Sequence, residues 1–539
     1  MTRPPFTEVA TLGDILLRSA DAFSDRPALT LPNRSATFGE LRAAASAVAG
    51  ALIARGIGAG DNVAILMPNC VEFAAVLFGV SLIGAVAVPL NVRNRSSELR
   101  FIIANSRAVA VVTSDDPDDP VDFIAILTEA FPDIGDSSAD APDLRHLLLA
   151  RGADRGAFVG ANAFIAEGSK TSADELDERR RRIRVRDPAL IIYTSGTTAN
   201  PKGCVLSHEA ATRGPVERSR YRLRAGEHDV TWGAGPLFHI GSLAPFIGSV
   251  GVAGTYLTDT YFEAERALRL MEKHGVTLAW PWFSAIVQGL IDSPTFDPAK
   301  LDRLRFLFMI APATLVERVQ SLLPQTEIIQ ACGMTETAGI FALCNKGDDR
   351  HARSTTNGKP SPGVEVRIVG PESGEELPDG TMGEIWVRGY NVMERYWDAP
   401  EKTAETITAD GWLKTGDLYS RLPGGALVFG GRCKDMLKVG GENVAAIEVE
   451  AFLCTHPAVK TAEVVGRPDA RLDEVPVAFV ELASGATADE AALIAHCKGR
   501  IANFKVPRAI HFMNAADWPM SATKIDKRAL RARLQENEQ

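Results

Sequence analysis

The sequence predicts an α/β protein: a large N-terminal domain of stacked, mostly parallel α/β sheets with a β-rich subdomain, followed by a small C-terminal α+β domain. Three observations carry this. Apolar strands and helices alternate from about Thr37 to Ser114, Gly- and Pro-punctuated strands crowd the stretch from Gly358 to Gly431, and a separate set of helices and strands follows Arg432.

The opening MTRPPFTEVATLGDILLRSADAF reads as an amphipathic helix after a short tail, without the basic-then-apolar order of a secretory signal. VAILMP then reads as a strand, the run from Val71 as an apolar helix, AVAVPL as a strand, SSELRFIIANS as a helix and AVAVVTSD as a strand. That is the rhythm of a parallel sheet with crossover helices. The uncharged run from Phe73 to Val92 is long enough to raise the question of a membrane span. Gly79, Gly84 and Pro89 divide it into a helix and a short buried strand, so no transmembrane segment is expected. From Asp115 to Asp187 the pattern is less regular, and the run DELDERRRRIRVRD reads as a solvated face or loop. Strand and helix signals resume at ALIIYTSG and continue to about Leu343. VEVRIVG, GEIWVRGY and ALVFGG follow as strands joined by turns. Beyond Arg432, ENVAAIEVEAFLCTHP and ADEAALIAHCKGRIA read as helices, and VKTAEVVGRPD and VPVAFVELA as strands.

A chain of 539 residues, 46% hydrophobic and 23% charged, is expected to be soluble, globular and built on more than one core. A formal charge of -10 argues against a protein that neutralises nucleic-acid phosphates, so the expected partner is a small molecule. The seven cysteines are scattered without a CxxC pair, which suggests neither a disulfide framework nor a zinc site and fits a cytoplasmic location.

The strongest local signal is YTSGTTANPKG, from Tyr193 to Gly203. After an apolar strand it offers a tight bend at Gly196, backbone N–H groups, the hydroxyls of Thr194, Ser195, Thr197 and Thr198, and the positive charge of Lys202. Such a loop suits polyphosphate oxygens. The Walker pattern GxxxxGK[ST] does not occur in it, which removes support for a P-loop kinase or ATPase. Taken alone, an ordinary Ser/Thr-rich turn competes with this reading.

Five more segments follow in order: PLFHIGS at Pro236, GMTET at Gly333, YW and GWLKTGDL between Tyr396 and Leu418, GRCKDMLKVGGENV at Gly431, and TKIDK at Thr523. With the loop, this ordered set resembles the adenylate-forming superfamily, in its acyl-CoA synthetase or acid–thiol ligase branch, from about Ala28 to the C-terminus. The resemblance implies an ATP-dependent enzyme that activates a carboxylic acid as acyl-AMP and transfers the acyl group to coenzyme A, with Mg²⁺ as cofactor. It also implies an adenylation domain over residues 1–431, a hinge at 432–434 and a mobile domain over 435–539; a homodimer would be in keeping with it.

By the same resemblance the ATP site comprises Thr194, Ser195, Gly196, Thr197, Thr198, Lys202, Cys332, Gly333, Met334, Thr335, Asp417, Arg432 and Lys524. Thr335 would contact the α-phosphate and Glu336 would hold the metal, which gives a carboxylate a physical reason to sit among phosphates. Asp417 and Arg432 would bind the ribose. Lys524 would be the catalytic lysine, supplying positive charge as negative charge gathers at the α-phosphate. Lys434 falls at the hinge, and Gly440 and Gly441 would let backbone approach the pantetheine arm. Phe504 and Lys505 are candidates for the CoA nucleotide. His239 would gate or position the carboxylate, since an ionised acid needs no general base. Trp280, Trp282, Phe283, Met309 and Ile310 would line or flank the acyl pocket. Taken singly, most of these residues would read as surface, turn or core positions; their order along the chain is what selects the functional reading.

Four positions depart from the pattern. Ala199 replaces a loop glycine, Cys332 stands where an aromatic stacks on adenine, Ile310 replaces a glycine, and Thr523 replaces the glycine before the catalytic lysine. Two other functions compete: adenylation with a different fate for the acyl group, such as a carrier protein or oxidation, and a nucleotide-binding regulator without catalysis. No carrier domain is expected after the final helix, PLFHIGS lacks the aspartate that would hold an amino acid's ammonium, and Glu336, Asp417, Arg432 and Lys524 are all retained. The apolar residues near Trp282 favour a hydrophobic aliphatic, aromatic or alicyclic acid, and the resemblance of GGENV to the form in aryl-, carnitine- and steroid-side-chain-type ligases leaves zwitterionic and polycyclic acids open.

Overall fold

In the computed structural model, residues 9–134, 139–194, 201–345, 347–439, 442–469, 471–521 and 524–536 are described. Two seven-stranded sheets form the large domain. The first runs Glu327–Ile329, Phe306–Ile310, Leu278–Phe283, Val230–Gly233, Thr255–Leu257, Pro27–Leu31, Arg34–Thr37, and is parallel except for the last hairpin. The second runs Arg395–Tyr396, Lys202–Ser207, Pro188–Thr194, Val86–Pro89, Asn62–Leu66, Ala108–Ser114, His146–Arg151. Its five strands from Pro188–Thr194 onward are parallel, and the two remaining strands join antiparallel at one edge.

Helices Leu12–Phe23, Phe38–Ala54, Val71–Leu82 and Ile240–Gly251 share one apolar cluster with Tyr256 of the first sheet and Ile65 and Leu190 of the second. They are the middle layer of a helix–sheet–helix–sheet–helix stack. This position explains the uncharged run: of Val71–Leu82 only Glu72 is not buried, and a helix apolar on every side needs protein on every side. No helix among the described residues is long and apolar enough to cross a membrane.

The irregular region between Asp115 and Asp187 contains more order than its pattern shows. Strand His146–Arg151 forms the sheet edge, and helix Ala173–Arg181 carries the arginine run. That helix buries no residue; its arginines pair with Glu175, Asp177, Glu178 and Asp14. The run is thus a solvated face, held by neighbouring charges and not by an apolar stripe.

Val364–Val369, Gly383–Gly389, Leu413–Arg421 and Leu427–Arg432 form an antiparallel sheet, the β-rich subdomain. A three-residue turn, Cys433–Asp435, separates it from the small C-terminal sheet, which starts at Met436. Here the expected helix over ENVAAIEVEAFL divides: Glu442–Ala445 pairs as a strand with Met436–Val439, and the helix begins at Ala446. The pairing supplies backbone partners that a local helical pattern cannot anticipate.

Candidate active site

The strand Pro188–Thr194 is buried through Ile192, and Thr194 lies opposite Lys202 on the returning strand, so both ends of the hydroxyl-rich loop meet. Ser195, Gly196, Thr197, Thr198 and Ala199 lie outside the described residues. Tyr193 anchors the strand end by donating its hydroxyl proton to Asn105 Oδ1 at 2.6 Å. Arg395–Tyr396 adds to the edge of Lys202–Ser207, with Tyr396 opposite Cys204. This brings the Tyr396 ring 5.5 Å from Lys202 Nζ, while the Tyr396 hydroxyl donates to Glu336 Oε1 at 2.8 Å. Three distant segments therefore converge. Glu336 is 9% exposed, and its backbone carbonyl also accepts from Met393 N at 2.8 Å. Burial, reinforced by the charge of Glu336, pushes the Tyr396 phenol far above its ordinary range, so it stays a donor. Burial and the nearby Lys402 lower the Lys202 ammonium, against the pull of Glu336.

Glu336 is placed by a tight hairpin. Ala331–Met334 pairs with Gly339–Leu343, and the intervening turn is closed by Thr337 Oγ1, which accepts from Met334 N at 3.1 Å and donates to Gly339 O at 2.7 Å. A Cβ at Gly333 would stand 2.3 Å from Gly339 O, so only glycine permits this approach. Thr335 is buried beside Glu336, and Met334 is half-buried. Cys332 is 3% exposed and packs with Phe341 and Tyr419; burial raises its thiol pKa strongly. It offers no open face on which an adenine could stack; the exposed surface of this strand is Gly333.

Asp417 and Arg432 face each other across antiparallel strands, with Arg432 Nε 3.2 Å from Asp417 Oδ1. Thr415 Oγ1 accepts from Asp417 N at 3.1 Å and fixes the bend before it. The pair is partly exposed, a geometry in which an ion pair adds little stability and leaves both groups able to meet a ligand.

At the other end, exposed His239 is the N-cap of Ile240–Gly251, and its Nδ1 accepts from Gly241 N at 3.1 Å. In the neutral ring this assigns the proton to Nε2, which faces away from the helix. Trp282 Nε1 donates to Gly241 O at 2.5 Å. A Cβ on Gly241 would lie 3.1 Å from His239 Nδ1 and 3.7 Å from Trp282 Nε1, so the glycine leaves room for the indole. Trp282 has φ +62°, an unusual backbone for a bulky residue, at a slip in register after Ala279. Trp280 stacks on Phe308 at 3.5 Å and lies 5.2 Å from Trp282, with Phe283 packed on the same cluster. Ile310 is 42% exposed at the strand end. Met309 belongs elsewhere: it is fully buried with Ala279, Val287 and Leu315 on the opposite face of the sheet, a core position and not a pocket wall.

In the small domain, Lys524 starts the strand Lys524–Ile525, which pairs with Met520–Ser521; its side chain lies outside the described residues, as does Thr523. Lys434 stands in the turn Cys433–Asp435, again with its side chain outside them, and Gly440 and Gly441 are outside altogether. Phe504 and Lys505 adjoin, Lys505 Nζ donating to Glu448 at 2.6 and 2.8 Å. Lys527, three residues after Lys524, is half-buried between Glu450 at 2.5 Å and Glu463 at 3.4 Å, and Arg531 reaches Asp435 at 3.0 Å. The final helix is thereby tied to the interdomain turn. Among the described residues, no three His, Cys, Asp or Glu side chains gather as a metal site.

The local sequence around Tyr396 gives that residue no role, and Lys527's anchoring contacts and the burial of Arg218 arise only from the fold. The first two lie within matched motifs, which was the available signal; Arg218 carries none.

The model for AMP-binding enzymes matches residues 16–397, and that for the AMP-binding enzyme C-terminal domain matches residues 448–523. The chain is 34% identical over 532 residues to a 3-[(3aS,4S,7aS)-7a-methyl-1,5-dioxo-octahydro-1H-inden-4-yl]propanoyl:CoA ligase of Mycobacterium tuberculosis, covering 97% of this chain and 99% of that one. Among solved structures it resembles ATP-bound MatB from Rhodopseudomonas palustris, with TM-score 0.84, 26% identity and coverage of 98% and 100%. It also resembles an anthranilate CoA ligase in complex with anthranoyl-AMP, with TM-score 0.82, 26% identity and 97% of both chains covered.

Proposed function

The chain belongs to the AMP-binding enzyme family, and from that premise we propose how its residues divide the work. It is an ATP-dependent acid–thiol ligase using Mg²⁺ and CoA. A carboxylate oxygen attacks the α-phosphorus of ATP and the bond to the β-phosphate breaks, giving acyl-AMP and pyrophosphate. The sulfur of CoA then attacks the acyl carbon, AMP leaves with the electron pair, and the thiol proton passes to solvent.

In our reading Thr194, Ser195, Gly196, Thr197, Thr198 and Lys202 bind the phosphates, Thr335 the α-phosphate, and Asp417 with Arg432 the ribose. The support is the convergence of Lys202, Tyr396 and Glu336, which puts one cation and one carboxylate at the end of a phosphate-suited loop. Glu336 fits Mg²⁺: a buried carboxylate with one oxygen bonded to Tyr396, and no cluster of three metal-ligating side chains among the described residues, suits an ion that takes most of its ligands from phosphates and water. Bound there, the ion would offset phosphate charge. Tyr396 would orient that carboxylate, and His239, its ring set by Gly241 N, would position the acid.

Lys524 would then reach the reacting carboxylate and α-phosphate from the small domain, with residues 432–434 as the hinge between domains 1–431 and 435–539. Gly440 and Gly441 would line the pantetheine path. Lys505, with Phe504, would meet the CoA nucleotide on leaving Glu448. The acid is apolar in its body, as Trp280, Trp282 and Phe308 suggest. A cytoplasmic location and a homodimer complete the proposal; cell fractionation and light scattering test them.

The deciding experiment measures AMP and pyrophosphate from ATP and Mg²⁺ over a panel of aliphatic, aromatic and alicyclic acids, with and without CoA. Turnover that requires one acid and CoA together is the expected result. A stoichiometric pyrophosphate burst that CoA does not convert into turnover would move the acyl acceptor to a carrier protein.

A further inference from the structure

Arg218 opens the π-helical turn Arg218–Arg222 that continues helix His208–Glu217, and it is 7% exposed. Its guanidinium lies 5.8 Å from the Trp280 ring, and its buried Nε has no hydrogen-bond acceptor among the described residues. The carboxylates nearby in the chain and sheet are committed elsewhere. Glu209 and Glu217 pair with Arg213, and Glu327 pairs with Arg222. A second buried donor in the same place, Trp280 Nε1, also has no acceptor. Trp280 leads to Trp282 at 5.2 Å, and Trp282 to Gly241 and His239, where the acid's carboxylate is placed in the ligase reading.

Two orphaned donors, one of them cationic, at the inner end of an aromatic cluster are costly unless something supplies acceptors. No protein acceptor does so among the described residues, and the side chains lead from here through Trp282 and Gly241 to His239, where the ligase reading places the carboxylate. Resting on the ligase reading, we propose that Arg218 and Trp280 form a specificity subsite for a second oxygen acceptor, a ring ketone or a second carboxylate, at the far end of the acid. The shared chemistry is an acceptor oxygen without a donor. A planar guanidinium suits it, since it presents several N–H groups in one plane. An acid ending in a plain hydrocarbon would leave both donors unanswered.

The test compares three acids with wild-type enzyme: cyclohexylpropanoate, its ring-ketone counterpart, and a dicarboxylate of matched length. Each is assayed by CoA-dependent AMP formation, and the same series is run with Arg218→Met and Arg218→Lys. The wild type should prefer one oxygenated acid to the hydrocarbon by tenfold or more in kcat/KM. Ketone against dicarboxylate tells which acceptor it reads. Arg218→Met should bring the ratio to about one without altering KM for ATP, and Arg218→Lys should restore part of it. Equal kcat/KM of the wild type on all three acids would overturn the subsite while leaving the ligase reading intact, and needs no variant to fold. A ratio unchanged in Arg218→Met would overturn it as well. AMP formation with none of a broad acid panel would remove the ligase reading and the subsite with it.

Discussion

At the proposed phosphate end of the site, Lys202 lies 5.5 Å from an aromatic ring whose hydroxyl is bonded to a carboxylate; at the proposed acyl end, Arg218 lies 5.8 Å from an aromatic ring and its Nε has no acceptor among the described residues. Both cations use ring faces, but the charge accounting differs. Tyr396 acts as a spacer: it satisfies Glu336 through its hydroxyl and Lys202 through its face, so neither charge quenches the other by direct pairing. In the proposed ATP site this leaves Lys202 for phosphates and Glu336 for a metal ion. At the proposed acyl end two buried donors, Arg218 Nε and Trp280 Nε1, have no acceptor among the described residues, and in the proposed subsite the ligand supplies it.

The largest expected effect comes from neither end but from the small domain. Lys524→Ala should slow acyl-AMP formation by about 10² to 10³, about 3 to 4 kcal/mol of transition-state stabilisation. Much of the ATP binding should remain, and CoA should still react with supplied acyl-AMP. Pyrophosphate exchange against thioester formation reads the two steps separately, and equal losses in both would remove Lys524 from a role confined to adenylation. Next, Glu336→Gln should cost about 100-fold in adenylation and raise the Mg²⁺ concentration needed, without changing the order of preference among acids. A changed acid preference would mean that the two ends are not independent.

The sheets were legible because strands covered on both faces are continuous apolar runs, as in VAILMP and AVAVPL, and the crossover helices between them carry their own signals. His146–Arg151 escaped because an edge strand bounded by His and Arg gives a short, weak run. At the phosphate end, segments such as GMTET identify themselves because several chemical requirements fall on adjacent residues. Arg218 could not be found that way, since its distinction, a buried Nε without an acceptor among the described residues, exists only after folding. Met309 is a different case. Period-two alternation in Phe306–Ile310 separates it from Phe308, whose ring faces the aromatic cluster, so the strand's own geometry contained the correction.

A smaller effect sharpens the spacer argument. Tyr396→Phe keeps the ring beneath Lys202 but removes the hydrogen bond to buried Glu336, a change worth about 1 to 3 kcal/mol when a charged acceptor loses its donor. Adenylation should fall about tenfold, mainly through Mg²⁺ dependence, while Tyr396→Leu, which also removes the ring, should weaken ATP binding further. If the two variants behave alike, the face of Tyr396 does nothing for Lys202.

The smallest effect concerns Cys332, the position where resemblance calls for an aromatic on adenine. Its thiol lies among Phe341, Tyr419 and Leu427 and is nearly inaccessible, so it belongs to the core of the β-rich subdomain. Cys332→Ala should therefore leave KM for ATP within about twofold and lower stability by about 1 kcal/mol, the scale of one small buried group. Cys332→Tyr is the sharper probe. If the side chain stays inward, an aromatic overpacks the cluster, lowers Tm and gains no ATP affinity. If instead it tightens ATP binding with Tm unchanged, the backbone at Gly333 can turn the side chain outward, and adenine stacking has been lost here by composition alone.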